Sequence, residues 1–470
     1  MTGAAPEPST MVFADAARVT FTRAQKIGLL LGAVVVAAAL LASWRATVTV
    51  LVALATLYYF LATVDKLWLF LRGSRGDVLF QVSDDEARAI PDADLPYYTV
   101  LLPVYDEPQI VRNLIAGVGQ LDYPRDKLDI LLLLEADDDA TIEAFREEPA
   151  DFVTPVFVPP SLPRTKPKAC NYGMSLGIDR GDYLTIYDAE DIPDPLQLRR
   201  AVAAFRRSSD DVACVQARLG YFNERQNLLT KWFSLEYDQW FGYTLPAIEA
   251  SGCVVPLGGT SNHVRTDIWR SVGGWDAFNV TEDADLGVRL ARRGYRTVVL
   301  DSVTLEEANS DAVNWVRQRS RWYKGYLQTF FVHARNLAGL RSEIGLRAVL
   351  RFANTTIGMP LSNVLNLVFW TGIVIWYIAH PAFMDELFPA PLYYSSLALF
   401  LVGNLLTVFA GLISVTADRK PHLTVAALTA PLYWLLQSVA ALKGLLQLII
   451  KPSYWEKTVH GLSGEPDTAK

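Results

Sequence analysis

The chain has 470 residues, 51% hydrophobic and 20% charged, which leaves room for one large domain with a strongly apolar part beside it. A net charge of -7 offers no basic face to phosphates, which excludes a nucleic-acid partner. Three cysteines, Cys170, Cys214 and Cys253, have no CxxC spacing and read as reduced thiols of a cytoplasmic domain, without a metal cluster.

Residues 1–25 read as a cytoplasmic tail. Ile27 to Trp44 carries no charge over eighteen residues and Ala46 to Val64 none over nineteen, and a helix of either length crosses about 30 Å of hydrocarbon. Only Arg45 separates them, so 26–72 reads as a hairpin of two spans. Ser43-Trp44-Arg45 followed at once by a second apolar run makes a poor cleavage site for a secretory leader. Residues 95–350 have the mixed composition of a soluble domain. Phe352 to Met384 and Leu387 to Ala417 then lack Asp, Glu, Lys and Arg, which gives spans three and four within 351–417. Thr424 to Ile450 is interrupted only by Lys443. Arg18, Arg23 and Lys26 precede the first span and Lys66, Arg72 and Arg75 follow the second, while Pro381 to Pro391 has Asp385 and Glu386 but no Lys or Arg. The positive-inside rule therefore puts the large domain in the cytoplasm of a multi-pass cell-membrane protein.

Within that domain, Tyr97–Tyr105, Leu128–Glu135, Asp151–Val158, Asp182–Asp188 and Asp211–Arg218 are short apolar runs with polar or proline boundaries, and so read as strands. Pro108–Gln120, Lys168–Ile178 and Pro195–Arg207 have helical periodicity between them. Strand and helix in alternation imply a mostly parallel sheet covered on both faces, with ligands outside the carboxyl ends of its strands. Polar clusters stand at those ends: Asp106-Glu107, Glu135 to Asp139, and Asp188 to Asp194.

The stretch YDAEDIPDP crowds Asp188, Glu190, Asp191 and Asp194 together. Carboxylates so close repel one another unless a cation sits among them, and a hard divalent ion takes one or two of them and leaves positions for phosphate oxygens. Asp194-Pro195 reads instead as a helix start. Arg164, Lys166 and Lys168, with Arg319 and Arg321 of QRSRW, offer basic partners for phosphate. In TEDADLGVRL, Thr281 as N-cap with acids in the first turn would explain the charges structurally, and a catalytic carboxylate is the alternative. Trp322 and Tyr323 could anchor at a membrane interface, or Trp322 could floor a sugar ring.

LLLLEADDDAT, YDAED, TED and QRSRW follow in that order. With them the chain resembles the family 2 glycosyltransferases, and among these the membrane-embedded processive synthases of cellulose, chitin and hyaluronan, from the first hairpin to His460. YDAEDIPDP and KPSYWEKTVHG look most like an XagB-like bacterial exopolysaccharide subgroup. The resemblance implies an α/β GT-A fold, Rossmann-like with a mostly parallel sheet, plus an α-helical transmembrane domain. It further implies a nucleotide-sugar donor, UDP-linked by family habit with GDP-mannose open.

Carried over by motif, Tyr105, Glu107, Glu135 and Asp137 would hold base and ribose, and Lys166 the diphosphate. Asp188 and Glu190 would hold Mg2+ or Mn2+; the Glu departs from the family's DxD, and Asp191 could substitute. Asp283, beside Glu282, matches the general base that takes the acceptor's proton in an inverting displacement. Arg321 would stabilise the leaving diphosphate. Gln318 and Trp322 would hold the terminal sugar, with Gly259, Thr260 and His263 along the acceptor path. Trp455, Lys457 and Thr458 would form a gating loop in 451–470, which makes 423–450 an interface helix in preference to a fifth span.

The implied activity is polymerisation of sugar into a β-linked polysaccharide exported through the spans, with the growing chain, membrane lipid and accessory export or activating proteins as partners. One alternative is transfer of a single sugar to a lipid-phosphate carrier. Another is an inactive receptor or scaffold, against which the intact Asp188, Asp283, Gln318, Arg321 and Trp322 weigh.

Overall fold

A computed structural model describes residues 16–452, with 454 and 456. The expected gating residues Trp455, Lys457 and Thr458 lie outside the described residues. The five expected strands form, as β1 (Tyr98–Val104), β2 (Leu128–Glu135), β3 (Val153–Val158), β4 (Tyr183–Ile186) and β6 (Val212–Tyr221). Three more join them: β5 (Ile192–Pro193), β7 (Asn262–Arg265) and β8 (Arg296–Glu306). The sheet order is β3-β2-β1-β4-β7-β6-β8-β5.

β1 to β4 are mutually parallel, as is β8 to β6, while β7 runs against both its neighbours and β5 against β8. Helices Val111–Gly119, Asp139–Glu147, Lys166–Ser175 and Gln197–Arg207 make the crossovers. Because side chains alternate along a strand, the leucines of β1 and β2 divide between two cores. Leu101, Leu131 and Leu133 pack on one face with Ile186, Trp269 and Trp275, and Val100, Leu102, Leu132 and Leu134 on the other with Leu114 and Leu198. This is the mostly parallel, curled GT-A sheet expected, and it carries the ends of the parallel strands β1, β2 and β4 to one edge.

Among the described residues, four helices are long and apolar enough to cross a membrane: Arg23–Gly73, Ala312–Ala379, Ala390–Ala417 and Ala430–Ile450. The first is a hairpin. Its helical dihedrals break at Ser43 (φ -159°, ψ 92°), two residues before the expected Arg45. At one end the Gln25 side-chain amide donates to Phe331 O at 2.7 Å, and at the other Gly73 lies flat on the backbone of Tyr243, both in the sheet-bearing half. The middle meets the far link instead, with Thr49 Oγ1 donating to Leu387 O at 3.1 Å and Trp44 edge-on to Phe383.

Ala430–Ile450 packs along Ala312–His333, the helix of the QRSRW motif. Gly444 allows it, because a Cβ there would lie 2.8 Å from Ser320 O. The junction centres on Glu236, which receives Arg319 (2.6 and 3.1 Å), the Tyr433 hydroxyl (2.6 Å) and the Gln437 amide (3.1 Å). Such charge-assisted bonds are the strong ones, and they fasten the apolar helix to the domain.

Candidate active site

β4 stops at Ile186 and the chain folds into a tight turn in which Asp191 N–H donates to Asp188 O at 3.1 Å. Asp191 Oδ2 accepts the Asp188 N–H at 2.7 Å and the Thr260 hydroxyl, and the residue is only 2% exposed. Burial, reinforced by Asp188 and Glu190, pushes its carboxyl well above the usual range. Asp191 therefore ties the turn to the segment bearing Thr260 and stands behind the cavity wall, so it is not placed to substitute at a metal. Asp188 and Glu190 do line the cavity. Asp194 is structural as expected, accepting Leu196 N–H at 2.8 Å.

Lys166 opens the helix that follows β3; its ammonium pairs with Asp188 and donates to Gly259 O at 2.6 Å. Burial alone would lower it, but Asp188 and Glu282 outweigh that and hold it above the ordinary lysine range. Asp283 lies in the first turn of helix Glu282–Arg292, where the helix dipole favours negative charge. Its Oδ1 accepts the Ala284 N–H at 2.7 Å, and burial raises its carboxyl to about 6 against the pull of that N–H, Lys166 and Arg321. Buried Glu282 is pushed to about 7 by burial and then by Asp283. The N-cap expectation for Thr281 is corrected: its side chain makes no cap bond and turns to Thr329 (3.2 Å) and Asn279.

Gly259 faces this pair closely, since a Cβ would sit 3.4 Å from Asp283 Oδ2 and 3.8 Å from Lys166 Nζ. Thr260 lines the cavity beside it. His263 does not. It is fully buried in β7, shares a 2.6 Å hydrogen bond with the Tyr98 hydroxyl, and is held neutral by burial, which lowers it to about 3. The expected place on the acceptor path is thus a core position.

On the half of the sheet formed by β1 and β2, the Arg164 guanidinium lies 5.6 Å from the Tyr105 ring centroid, bonds its hydroxyl at 3.1 Å and pairs with Asp137 at 2.6 Å. Glu107 and Glu135 line the same end, Glu135 paired with buried Lys168 at 2.8 Å. Asp137 is exposed, outside the cavity lining, and holds Arg164. Opposite, helix Ala312–His333 presents Gln318, whose oxygen accepts the Asn309 amide at 2.9 Å, with Arg321 and Trp322 one turn on. Arg319 is spent on Glu236 and on the rings of Trp322 (4.6 Å), Phe233 and Trp315, so it is a structural cation.

These residues enclose one cavity of about 710 Å³. Five carboxylates line it near the β4 exit, Asp188, Glu190, Glu282, Asp283 and Glu306, against the cations Lys166 and Arg321. That excess suits a divalent cation. Among the described residues no group of three or more His, Cys, Asp or Glu forms a ligand set, so an ion there would take Asp188 and Glu190 and complete its shell with phosphate oxygens. The donor set fits that role. The cavity also continues between the apolar helices, past Thr63, Ser362, Asn363, Asn366, Asn404 and Thr407. Sequence reading missed these and Glu236 and Glu306; amides inside charge-free spans were the available signal.

Two family models match: "Glycosyl transferase family group 2" over residues 183–414 and "Glycosyl transferase family 2" over 99–255. A "Probable glycosyltransferase YdaM" of Bacillus subtilis is 25% identical over 313 residues, 62% of this chain and 73% of that protein. The "Beta-monoglucosyldiacylglycerol synthase" of Trichormus variabilis is 24% identical over 387 residues, 79% of this chain and 78% of that one. Among solved structures, mannosyltransferase PcManGT from Pyrobaculum calidifontis, in complex with GDP-Man and Mn2+, superposes with a TM-score of 0.52 at 17% identity, covering 86% of this chain and 99% of that one.

Proposed function

Because this chain belongs to the family 2 glycosyltransferases, whose models together run from residue 99 to 414, we propose that it is a processive synthase that extends a polysaccharide from a nucleotide-sugar donor and exports it. Tyr105, stiffened by Arg164, takes the base, with Glu107 and Glu135 about the ribose. Lys166 and Arg321 meet the diphosphate. A divalent cation on Asp188 and Glu190 supplies charge neutralisation for the leaving group. Asp283, raised towards neutrality, accepts the proton of the acceptor hydroxyl as that oxygen attacks the anomeric carbon. Gly259 leaves the space in front of Asp283 for the incoming oxygen, and Trp322 with Gln318 holds the terminal sugar.

The observation that carries this reading is the continuity of the cavity from Asp283 and Trp322 into the apolar helices along hydroxyl and amide side chains. A carbohydrate chain can exchange hydrogen bonds with such a wall, whereas acyl chains gain nothing from it. The sheet-bearing domain lies in the cytoplasm of a cell-membrane protein. Ala430–Ile450, fastened to the QRSRW helix, serves as the interface helix. The second reading, a single sugar passed to a lipid acceptor, is favoured by the likeness to a glycolipid synthase.

The test is nucleotide diphosphate release by the full chain in lipid with Mg2+ or Mn2+, across UDP- and GDP-sugars including GDP-mannose, with sizing of the product. Long chains from one donor are expected. A product of one or two sugars on lipid overturns processivity in favour of the second reading.

A further inference from the structure

β8 ends on Glu306, which adds to the negative charge of the cavity and has been given no partner of its own. Glu306 is fixed by backbone from both sides: it pairs with Tyr221 of β6 and its carbonyl accepts the Phe222 N–H at 3.1 Å, while the pairing of Leu305 with Ile192 brings it level with Asp191. Its side chain lines the cavity. Among the described residues that side chain makes no hydrogen bond and no ion pair, whereas its neighbour Glu307 is buried and engaged.

A carboxyl group accepts through its oxygens and, when protonated, also donates, so what completes Glu306 is a group that can do either, as a hydroxyl can. Of the groups a nucleotide sugar brings, base and ribose belong with Tyr105 and Glu135 on β1 and β2, and three strands (β4, β7, β6) separate β1 from β8. The turn that carries Asp188 and Glu190 leads straight into β5, which pairs with β8 beside Glu306. Tyr237 and Trp322 line the same cavity. Glu306 therefore stands beside the Asp188–Glu190 turn, on the side of the cavity away from β1, which is the side left for the sugar when the base is at Tyr105 and the diphosphate at Lys166.

We propose that Glu306 exchanges hydrogen bonds with hydroxyls of the donor's hexose and so reads which sugar is transferred. A strand-end carboxylate suits that task because its backbone cannot swing to follow a misplaced hydroxyl. Sites that bond a substrate hydroxyl discriminate sharply against analogues lacking it, since the protein group is then left unpaired. The inference rests on the nucleotide-sugar reading of the cavity and is independent of chain elongation.

Calorimetry on the full chain in nanodiscs tests it, with Mn2+ and UDP, GDP, their hexose conjugates and deoxy-hexose conjugates as probes. The wild type should bind its preferred nucleotide sugar more tightly than the bare nucleotide. Glu306→Ala should cut that advantage about tenfold, with bare nucleotide affinity held within about twofold, which also reports an intact fold. One deoxy conjugate should bind wild type and variant alike. Glu306→Gln, which keeps both an acceptor and a donor, should retain part of the advantage. An unchanged sugar advantage overturns the proposal, as does an equal loss of bare nucleotide affinity, which would move Glu306 to the metal or diphosphate. Donor binding as expected without long product would defeat the polysaccharide reading alone.

Discussion

Acidifying the medium should slow this transferase through the protonation of Asp283. Burial raises that carboxyl to about 6, so the proton stays on to a higher pH than on an ordinary aspartate. A protonated carboxyl cannot take the acceptor's proton, and the active fraction therefore falls as pH drops through about 6. A single group at that value is about nine tenths ionised at pH 7 and about one tenth at pH 5, which predicts a loss of close to tenfold in kcat/KM. An aspartate near about 3.9 would lose less than about a tenth over the same range. Initial rates of nucleotide release, measured in lipid from pH 5 to 8 with intrinsic fluorescence confirming that the fold persists, give the profile. Asp283→Asn should lower the rate about 10²- to 10⁴-fold and flatten what remains. A wild-type profile that is flat between pH 7 and 5, or an Asp283→Asn chain within about tenfold of wild type, would refute Asp283 as the base.

Asp188→Asn should abolish stimulation by Mn2+ or Mg2+ while leaving the thermal midpoint near that of wild type, and chelation should silence the unaltered chain; chelator-resistant activity would remove the metal from the reaction. Gly325→Ala would drive a methyl into Thr281 Cγ2, directly ahead of the Glu282-Asp283 pair. Such overpacking costs about 1–3 kcal/mol, so a lowered melting temperature together with reduced turnover is expected, and an unchanged Tm would contradict the packing described.

β1 to β4 were legible because Val, Leu and Ile fill both faces of strands buried in a parallel sheet, and polar residues mark their ends. β7 was not, since Asn262-His263-Val264-Arg265 has no strand-like pattern; the partners on either side recruit it, and the Tyr98 hydroxyl satisfies its histidine. The same blindness to direction explains the site. Asp188, Glu190 and Asp191 look equivalent in sequence, yet one backbone turn sends the third inward to Thr260. Thr281 has the composition of a cap and the orientation of a core hydroxyl. Glu306 sits at the end of a strand that only its pairing with β6 makes evident.

The Glu236 junction also sets an order of events during synthesis. Arg319 stacks on Trp322 and is steadied by Glu236, but Glu236 is itself completed by Tyr433 and Gln437, which leave the ribosome more than a hundred residues later. The sheet and its carboxylates can gather early, while Trp322 gains its full support only once Ala430–Ile450 is made and docked. A chain made only as far as the sheet therefore already has Asp188, Glu190 and Asp283, whereas the wall of the cavity that Trp322 forms is completed last.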